Sequence, residues 1–507
     1  MNETTKLAQW LAELSYEDLP EEVVNFTKRF IFDDVGCMLG GALQLGNKSI
    51  LRDVISAEEN EQSTVALYGV RTSAPLAALV NGAFIAGWDY DSMAAEGGGH
   101  MGSQTAALLA VAEGLQVTGK DLILAECAGI EAQCRIGRCA LVRHKGVGGG
   151  GAHPWHSNTA LGPFAAAVTT AKLLGFDAEK MEHAIAIAVS NLGGNYQHYF
   201  SWGSSVKRAR CGIGAWSGVR AALLAAEGLR GPEQSLEGKW GWAEAIVGRQ
   251  DSGEPWFDTS LITEGFGEKW NLLSYNTKAG GCGCVTTLQC PTLTAVELKR
   301  KHPFDYKDVI SVEVQFKDDY GLQQAGQNLG TQLGETPEQR LGTSGWSLQW
   351  MVAEALVVGI PGIREQLNNI RPYGKYKEIE ELSTKVFGTV NPDYYREHFG
   401  SKPHHKWGGR VIITMKDGEM LEHEPVIHPG CRMSDGDDKF SAHVGAINTI
   451  NMEQLAEKFR MQADIAGFTS EEQDMIMSFI LTMEQQQSIH DLIAHLVPQQ
   501  MIERKAQ

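Results

Sequence analysis

A short acidic loop that ends in a histidine is the first part of the chain with side chains suited to chemistry. Residues 88–100 read WDYDSMAAEGGGH and contain the carboxylates of Asp89, Asp91 and Glu96, then three glycines and His100. Histidine and carboxylate side chains act most often as general acids and bases in enzymes. The glycines give up backbone entropy, which favours close approach of the backbone or motion. The stretch predicts part of a site, and a solvated connecting loop is the alternative that it leaves open.

A second glycine-rich stretch, GVGGGGAHPWHSNTALGPF at residues 146–164, contains His153 and His156. Ser157 or Asn158 could cap the helix that follows, which would place His156 at its positive end. A histidine there loses proton affinity, which suits a general base near neutral pH. Neither a Walker A pattern nor a GxGxxG that follows a strand is present, so the glycines do not predict a phosphate site. Metal ligation by the two histidines is the open alternative.

Two cationic stretches follow. SSVKRARCGIGAWSG (204–218) places Lys207, Arg208 and Arg210 at the start of a helix rich in small residues. A solvated face usually mixes charges of both signs, so we expect a local positive field here, with an exposed basic turn as the alternative. In YNTKAGGCGCVTTLQCP, Lys278 precedes three cysteines whose spacing does not match the common zinc or iron–sulfur patterns.

The composition of the chain limits its partners. A formal net charge of -18 over 507 residues argues against a general affinity for nucleic acid or anionic membranes. An anionic substrate would then need a pocket in which cations outnumber carboxylates. There is no run of 18 apolar residues, and MNETTKLAQWLAELSYEDLPEE contains no apolar core of a secretory signal. Nine scattered cysteines fit buried, reduced thiols, so we expect a cytoplasmic protein.

The elements that must position these side chains divide the chain by hydrophobic period. From Leu7 to about Leu261 the helical period dominates, and small residues on several faces indicate closely packed helices. After about Gly267 an α+β segment begins, with strands expected in DVISVEVQF and around the Lys-Asp-Gly turn of GRVIITMKDGEMLEHEP, and helices in SLQWMVAEALVVG and YKEIEELSTKVFG. From Met452 the sequence is helical again and is expected to pack on the first part.

These blocks, in this order, resemble the MmgE/PrpD family, which includes 2-methylcitrate dehydratase, cis-aconitate decarboxylase and iminodisuccinate epimerase. The matching stretches are DYDSMAAEGGGH, PWHSNTALGPFAAA, VKRARCGIGAWSG and KAGGCGC, together with FIFDDVGCMLGGA, EGLRGPEQSLEGKWGW and MKDGEMLEHEP. The resemblance covers nearly the whole chain and implies a mainly α fold. Its large all-helical domain would be formed by both chain ends (1–267 and 431–507), with a smaller α+β lid domain at 268–430.

The resemblance also implies a homodimer that uses neither a metal nor an organic cofactor and binds a small carboxylic acid. Carried over position by position, the catalytic residues are Asp89, His100, His156, Lys207 and Lys278. The residues expected to bind substrate are Asp91, Arg208 and Arg210. The family pattern is altered at several positions, where this chain has Ser92, Met93, Pro154, Arg210, Ile213 and Trp216. These exchanges favour a substrate that is smaller or less charged than methylcitrate.

The expected reaction is a cofactor-independent lyase step, most simply the dehydration of a 2-methylcitrate-like hydroxy acid. In it, His156 removes the proton next to a carboxylate whose charge Lys207 and Lys278 offset, and His100, oriented by Asp89, protonates the departing hydroxyl. Decarboxylase and epimerase reactions need the same groups and remain alternatives. Two other classes also remain, a metalloenzyme with His100, His153 and His156 as ligands and a non-catalytic carboxylate-binding protein.

Overall fold

The computed structural model describes residues 1–44, 50–51, 62–94, 97–141, 155–195, 206–249, 252–278, 282–317, 319, 322, 344–369, 374–399, 409–426 and 450–500. The predicted mainly α fold with a small α+β part is confirmed. The first helices are Glu3–Glu13 (α1), Glu21–Gly41 (α2), Ala74–Ile85 (α3), Ser103–Ala112 (α4), Gly119–Leu141 (α5), Ser157–Ala160 (α6), Gly162–Leu173 (α7), Ala178–Val189 (α8) and Val206–Ala226 (α9). The later helices are Thr286–Lys301 (α10), Leu348–Val358 (α11), Ile363–Asn369 (α12), Tyr376–Ser383 (α13), Pro392–Phe399 (α14), Met452–Ile465 (α15), Ser470–Leu481 (α16) and His490–His495 (α17).

The strands form three sheets in the described parts of the chain. They are Ser63–Val65 (β1) with Val70–Thr72 (β2), then Met93–Ala94 (β3), Gly99–His100 (β4) and Tyr275–Asn276 (β5), and finally Val309–Phe316 (β6), Val386–Val390 (β7), Arg410–Met415 (β8) and Met420–His423 (β9). In the last sheet the order is β7-β6-β8-β9, with β7 parallel to β6 and the other pairs antiparallel. Gly418, at a φ of 90°, closes the predicted β8–β9 hairpin.

Two details of the sequence-based expectation are corrected. The stretch YKEIEELSTKVFG is helical only to Ser383, and its last residues begin β7, where β-branched Val386 and Val390 pair with β6. The part expected to be all helical also contains the two small sheets, and β3 pairs there with β5 from beyond residue 267. The proposed domain boundary is thus crossed by backbone hydrogen bonds.

The C-terminal helices pack on α2, as the hydrophobic pattern predicts. Phe459 of α15 lies against Gly36 of α2, where an added Cβ atom would be 2.9 Å from its ring. Lys28 of α2 reaches Glu484 with an N–O distance of 3.0 Å. The helices α15 and α16 both begin with a capping box. Asn451 and Gln454 form the one at the start of α15.

Small residues bring α3 and α9 into close contact. A Cβ atom added to Gly212 would lie 1.9 Å from the Leu79 carbonyl oxygen, and one added to Gly82 would lie 2.6 Å from the Gly212 Cα atom. Only glycine permits this approach, since the neighbouring atoms belong to the backbone. The crossing brings the start of α9 close to the loop that follows α3.

Two further expectations concern membranes and cysteines. Within the described ranges, no helix combines the length and apolar character that a bilayer crossing requires. The eight cysteines in these ranges are all buried, and none is part of a disulfide.

Candidate active site

Asp89 lies at the centre of a buried cluster of charged side chains. Its Oδ1 atom is 2.5 Å from the Nζ atom of Lys207 and 2.5 Å from that of Lys278. The indole N–H of Trp346 donates to Oδ2 at 2.8 Å, and the Lys278 ammonium also donates to the Asp89 carbonyl oxygen at 2.5 Å. All four side chains are buried. Three segments that are distant in sequence therefore meet at one carboxylate.

The backbone at Asp89 is in the left-handed region, with a φ of 52°. Aspartate tolerates this conformation better than most residues, but it is still unfavourable outside a constrained turn. Here the Asp89 N–H donates to the Ala86 carbonyl at the end of α3. The turn aims the carboxylate at Lys207, which lies in the first turn of α9.

The electrostatic field of this cluster favours an ionised Asp89. Burial acts to raise its pKa, but the charges of Lys207, Lys278 and His100 outweigh burial, and the pKa lies well below its usual range. The pKa of Lys207 is lowered, because burial and repulsion from Lys278 outweigh the attraction of the carboxylates. The cluster therefore holds one carboxylate between two ammonium groups, and one of these gives up its proton more readily than usual.

His100 is oriented by Asp91. The His100 Nδ1 atom is 3.0 Å from Oδ2 of Asp91 and 3.8 Å from Oδ1 of Asp89, which corrects the expectation that Asp89 orients it. A neutral ring that donates Nδ1–H to a carboxylate has its lone pair on Nε2. The pKa of His100 is lowered by burial and by Lys207, although Asp91 opposes the shift. His100 is therefore arranged to accept a proton at Nε2.

His156 is held in the opposite tautomer. Its Nδ1 atom accepts the backbone N–H of Asn158 at 3.3 Å, so the hydrogen of a neutral ring is on Nε2. The short helix α6 begins at Ser157, and the His156 side chain takes the capping position that the sequence assigns to Ser157 or Asn158. The two imidazole rings are stacked, with centroids 5.4 Å apart and planes inclined by 24°. The pair presents one acceptor and one donor from adjacent rings.

The two arginines are buried beside this cluster. Arg208 donates to the Gly87 carbonyl, and its guanidinium lies 4.6 Å from the ring centroid of Trp346. Burial lowers its pKa to about 10, which leaves it charged at neutral pH. Arg210 donates to the carbonyl of Asn195, which is bridged to Trp155 next to His156. One arginine is thus on the Trp346 side of the site and the other on the histidine side.

The glycines before His100 serve close packing. A Cβ atom added to Gly97 would lie 2.3 Å from the Cys134 carbonyl oxygen in α5, and the φ of Gly97 is 84°. These glycines let the β3–β4 hairpin lie directly on α5. The hairpin then presents His100, and close approach of the backbone to α5 accounts for the glycine at position 97.

A layer of buried acids supports the Asp89–Ser92 loop from behind. Ser92 donates to Oδ1 of Asp34 at 2.7 Å, and the Thr105 hydroxyl lies between Asp34 (2.9 Å) and Glu126 (2.6 Å). Burial raises the pKa of Glu126 to about 8 and that of Asp34 well above its usual range. Glu126 is therefore protonated near neutral pH and takes part in hydrogen bonds without adding negative charge, and Asp34 holds a proton more tightly than an exposed aspartate does.

The site carries a local excess of positive charge. Among the residues that the structure describes, its charged side chains are the cations Lys207, Arg208, Arg210 and Lys278 and the carboxylates Asp89 and Asp91. Four positive and two negative charges leave +2 when both histidines are neutral, in a chain whose formal net charge is -18. The excess matches a substrate with at least two carboxylates.

Asp89, Asp91 and His100 also offer three metal-ligand atoms within 4.8 Å of one another. However, the Asp89 oxygen that would face the ion already has two ammonium groups at 2.5 Å. A divalent cation there would be repelled by both, so this donor set does not fit a metal while the lysines are charged. His153, the remaining histidine of the metalloenzyme alternative that is not placed here, lies outside the described residues. The loop residue Glu96 and the exchanged position Pro154 also lie outside them.

The structure brings together all five side chains expected to be catalytic and the three expected to bind substrate. Trp346 was missed, since nothing in the sequence around it indicates a partner 257 residues away. Of the exchanged positions, Met93 lies in β3 opposite His100. Ile213 and Trp216 follow Arg210 on α9 at three-residue steps, and both are half-buried. They therefore add apolar surface to the side of α9 that carries Arg210.

Comparison with known proteins places the chain among relatives. Residues 5–254 match the MmgE/PrpD N-terminal domain. Cis-aconitate decarboxylase-like protein oryM of Aspergillus oryzae is 24% identical over 510 residues, which cover 97% of each chain. Cis-aconitate decarboxylase of Aspergillus terreus is 28% identical over 306 residues, 59% of this chain and 61% of its own. The Homo sapiens protein of that name is 28% identical over 239 residues, 46% of this chain and 48% of its own.

The family match confirms the resemblance that the ordered sequence blocks indicate. It covers the segment that carries Asp89, His100, His156 and Lys207, and the A. oryzae relative extends the similarity through Lys278 to the C-terminal helices. Through its domain at residues 5–254, the chain belongs to the MmgE/PrpD family.

Proposed function

We propose that this protein is a cofactor-independent lyase that transfers a proton next to a carboxylate of a small di- or tricarboxylic acid. The observation that carries the proposal is the buried Asp89–Lys207–Lys278 cluster beside two histidines in opposite tautomers. The ammonium groups can bind a substrate carboxylate and offset the charge that develops on it. The family relationship supports the same class of chemistry, and we also propose a cytoplasmic homodimer on that basis.

The names of the relatives favour decarboxylation of an unsaturated acid of the cis-aconitate type over the dehydration expected from sequence. In this reaction the C–C bond to the departing carboxylate breaks and its electron pair forms a new double bond. The electrons of the former double bond take up one proton at the carbon next to a retained carboxylate, and CO₂ leaves. The site must then supply one proton and hold the retained carboxylates.

We assign the proton transfer to His100, which reverses the roles expected from sequence. Asp91 can stabilise a doubly protonated His100, and the negative charge of a bound polyanion offsets the lowering of the His100 pKa by burial and Lys207. His156 cannot take a proton at Nδ1 without losing the N–H of Asn158 that this atom accepts. In this proposal His156 therefore stays neutral and donates Nε2–H to a substrate oxygen, while Lys207 and Lys278 bind carboxylates.

Dehydration is the second candidate, and the histidine tautomers are the observation that favours it. A neutral His100 accepts the proton next to a carboxylate at Nε2, and the Nε2–H of His156 supports the departing hydroxyl. The two reactions use His100 in opposite senses, as an acid for decarboxylation and as a base for dehydration.

Proton NMR in D₂O on the purified protein tests the proposal. The panel contains citrate, methylcitrate, cis-aconitate, malate-type acids and iminodisuccinate. We expect cis-aconitate to lose CO₂, with new vinylic methylene signals and one deuteron next to a retained carboxylate. Vinylic signals from a hydroxy acid would establish dehydration instead, and deuterium uptake without net change would indicate an epimerase. Binding of these acids with no exchange of protons would contradict the lyase and leave the carboxylate-binding protein.

Lys207→Met tests the role of the cluster in the same assay. We expect turnover to fall at least about tenfold, because a buried carboxylate of the substrate loses a charged partner. The matched control is Lys172→Met. Lys172 is also largely buried, but its ammonium donates to the carbonyls of Leu11, Ala12 and Leu14, away from the site. Full turnover by folded Lys207→Met protein would remove Lys207 from the mechanism.

A further inference from the structure

A second buried ion pair lies directly behind the site. Lys458 of α15 is 2.5 Å from Oδ1 of Asp33 in α2, and both side chains are at most 4% exposed. The same ammonium donates to the Tyr90 carbonyl oxygen at 2.7 Å and contacts the Thr277 hydroxyl at 2.7 Å. Its three hydrogens therefore reach three different segments of the chain.

Thr277 completes the connection. Its hydroxyl accepts from Lys458 and donates to Oδ2 of Asp33 at 2.5 Å, and the Tyr275 hydroxyl donates to the same oxygen at 2.9 Å. The Asp33 carboxylate and the Lys458 ammonium are thus saturated with partners inside the protein. A buried pair of this kind holds its neighbours in one geometry, because loss of either member leaves the other charge uncompensated.

The position of this cluster in the chain links it to the proposed chemistry. Tyr90, whose carbonyl Lys458 binds, lies between Asp89 and Asp91. Thr277 is the residue before Lys278, and its neighbour Asn276 pairs with Met93 in the small sheet. The cluster therefore fixes the backbone next to both partners of the Asp89–Lys278 contact and next to the carboxylate that orients His100.

We propose that Asp33, Thr277 and Lys458 are positioning residues of the active site, which hold Lys278 and the Asp89–Asp91 segment at the 2.5 Å and 3.0 Å distances observed. The inference rests on the proposed function, since it concerns turnover at that site. These residues do not touch the reacting groups. Displacements near 1 Å are enough to lower turnover about a hundredfold, because reacting groups must be held in a narrow range of geometries.

The test compares Thr277→Val with Thr277→Ser. Valine has nearly the shape of threonine and lacks the hydroxyl, whereas serine keeps it. We expect Thr277→Val to lower kcat at least about tenfold and Thr277→Ser to stay within about threefold of the unmodified protein. Thr27→Val is the control, because Thr27 is also buried in this region but bonds to the Val23 carbonyl of its own helix. It is expected to keep kcat.

Two outcomes would overturn the proposal. One is full kcat in folded Thr277→Val protein, and the other is an equal loss in Thr277→Val and Thr277→Ser, which would show that the hydroxyl is not the determinant. If Thr277→Val does not fold, the double variant Asp33→Asn/Lys458→Met replaces it. That variant removes both charges together, so no uncompensated ion is buried, and it is expected to fold with the same loss of kcat.

Hydrogen–deuterium exchange gives a measurement that does not depend on turnover. Peptides covering residues 86–94 and 272–278 are expected to exchange faster in Thr277→Val than in Thr27→Val or the unmodified protein. Unchanged exchange in both peptides overturns the positioning role. An inactive unmodified protein with the expected exchange difference overturns the proposed function and leaves the role of the cluster in holding these segments supported.

Discussion

At the scale of single residues, the two histidines differ by the partner of one ring nitrogen. Asp91 accepts from Nδ1 of His100, and Nδ1 of His156 accepts a backbone N–H. The Asp91 carboxylate stabilises a positively charged ring at His100. The backbone N–H that His156 accepts keeps a proton off Nδ1 and so excludes a charged ring at His156. Two residues of the same type, with ring centroids 5.4 Å apart, are therefore suited to different tasks, proton transfer and hydrogen-bond donation.

The pH profile of kcat/KM reports which sense of proton transfer operates. Burial and Lys207 hold the pKa of His100 below the usual 6.5. If His100 acts as an acid, as decarboxylation requires, we expect kcat/KM to fall as pH rises through a value below 6.5. If His100 acts as a base, as dehydration requires, we expect kcat/KM to rise with pH through the same value. A flat profile from pH 5 to 8, with His100→Gln equally active, would exclude His100 from either role.

The sequence predicts the site better by residue type than by pairing. The ordered blocks identify Asp89, His100 and Lys278, because each lies in a motif with a recognisable order. They do not reveal that Asp91 is the partner of His100, since two carboxylates two positions apart look equivalent until the turn at Asp89 is known. Lys458 lies within the ordinary helical pattern of α15 and Trp346 in the turn before α11, and only the tertiary fold shows their contacts.

At the scale of elements, the contact between α3 and α9 sets the position of the cationic residues. Gly82 and Gly212 let the two helix backbones touch, and Lys207 lies less than two turns before Gly212. The sequence predicts this close packing from its small residues. It does not predict which helices pair, because alanine- and glycine-rich faces occur on most helices of the first half.

Gly212→Ala tests this contact. Alanine favours a helix by about 1 kcal/mol over glycine, but its Cβ atom would lie 1.9 Å from the Leu79 carbonyl oxygen, and backbone atoms cannot yield without moving the helix. We expect a lower thermal midpoint and a loss of kcat of at least about tenfold as Lys207 is displaced. At Gly114 the nearest atom to an added Cβ is 3.7 Å away, so Gly114→Ala is the control. Equal midpoints for the two variants would argue against the tight contact.

At the scale of the whole molecule, charge is distributed unevenly. The chain carries a formal net charge of -18, yet the described side chains of the site carry an excess of two positive charges. Behind the site and in the α+β part, two buried acids hold their protons to a higher pH than exposed carboxyl groups do. Burial raises the pKa of Glu126 to about 8 and that of Glu354 to about 7. The ordinary pKa of a glutamate side chain is 4.5, so both acids bind their protons more tightly in the folded than in the unfolded protein.

We therefore expect the two acids to make their full contribution to the free energy of unfolding below pH 4.5. This contribution is lost as pH rises through about 7 for Glu354 and about 8 for Glu126. Glu126→Gln keeps the shape and cannot ionise. We expect its thermal midpoint to match the unmodified protein near pH 5 and to exceed it by about 2 °C or more at pH 8.5. The comparison isolates Glu126, because other titrating groups are common to both proteins. A constant difference between the two midpoints across this range would contradict the prediction.

The contact between Asp33 and Lys458 has a consequence for synthesis of the protein. The two residues are 425 positions apart in the chain. At about 5–20 residues per second, a ribosome takes roughly 20–85 s to travel from one to the other. Throughout that interval Lys458 is not available to Asp33, and from its own synthesis onward Tyr90 lacks the ammonium group that binds its carbonyl in the folded protein. A nascent chain can therefore form most of its N-terminal helices during translation, but it completes the support of its active site only after α15 has emerged.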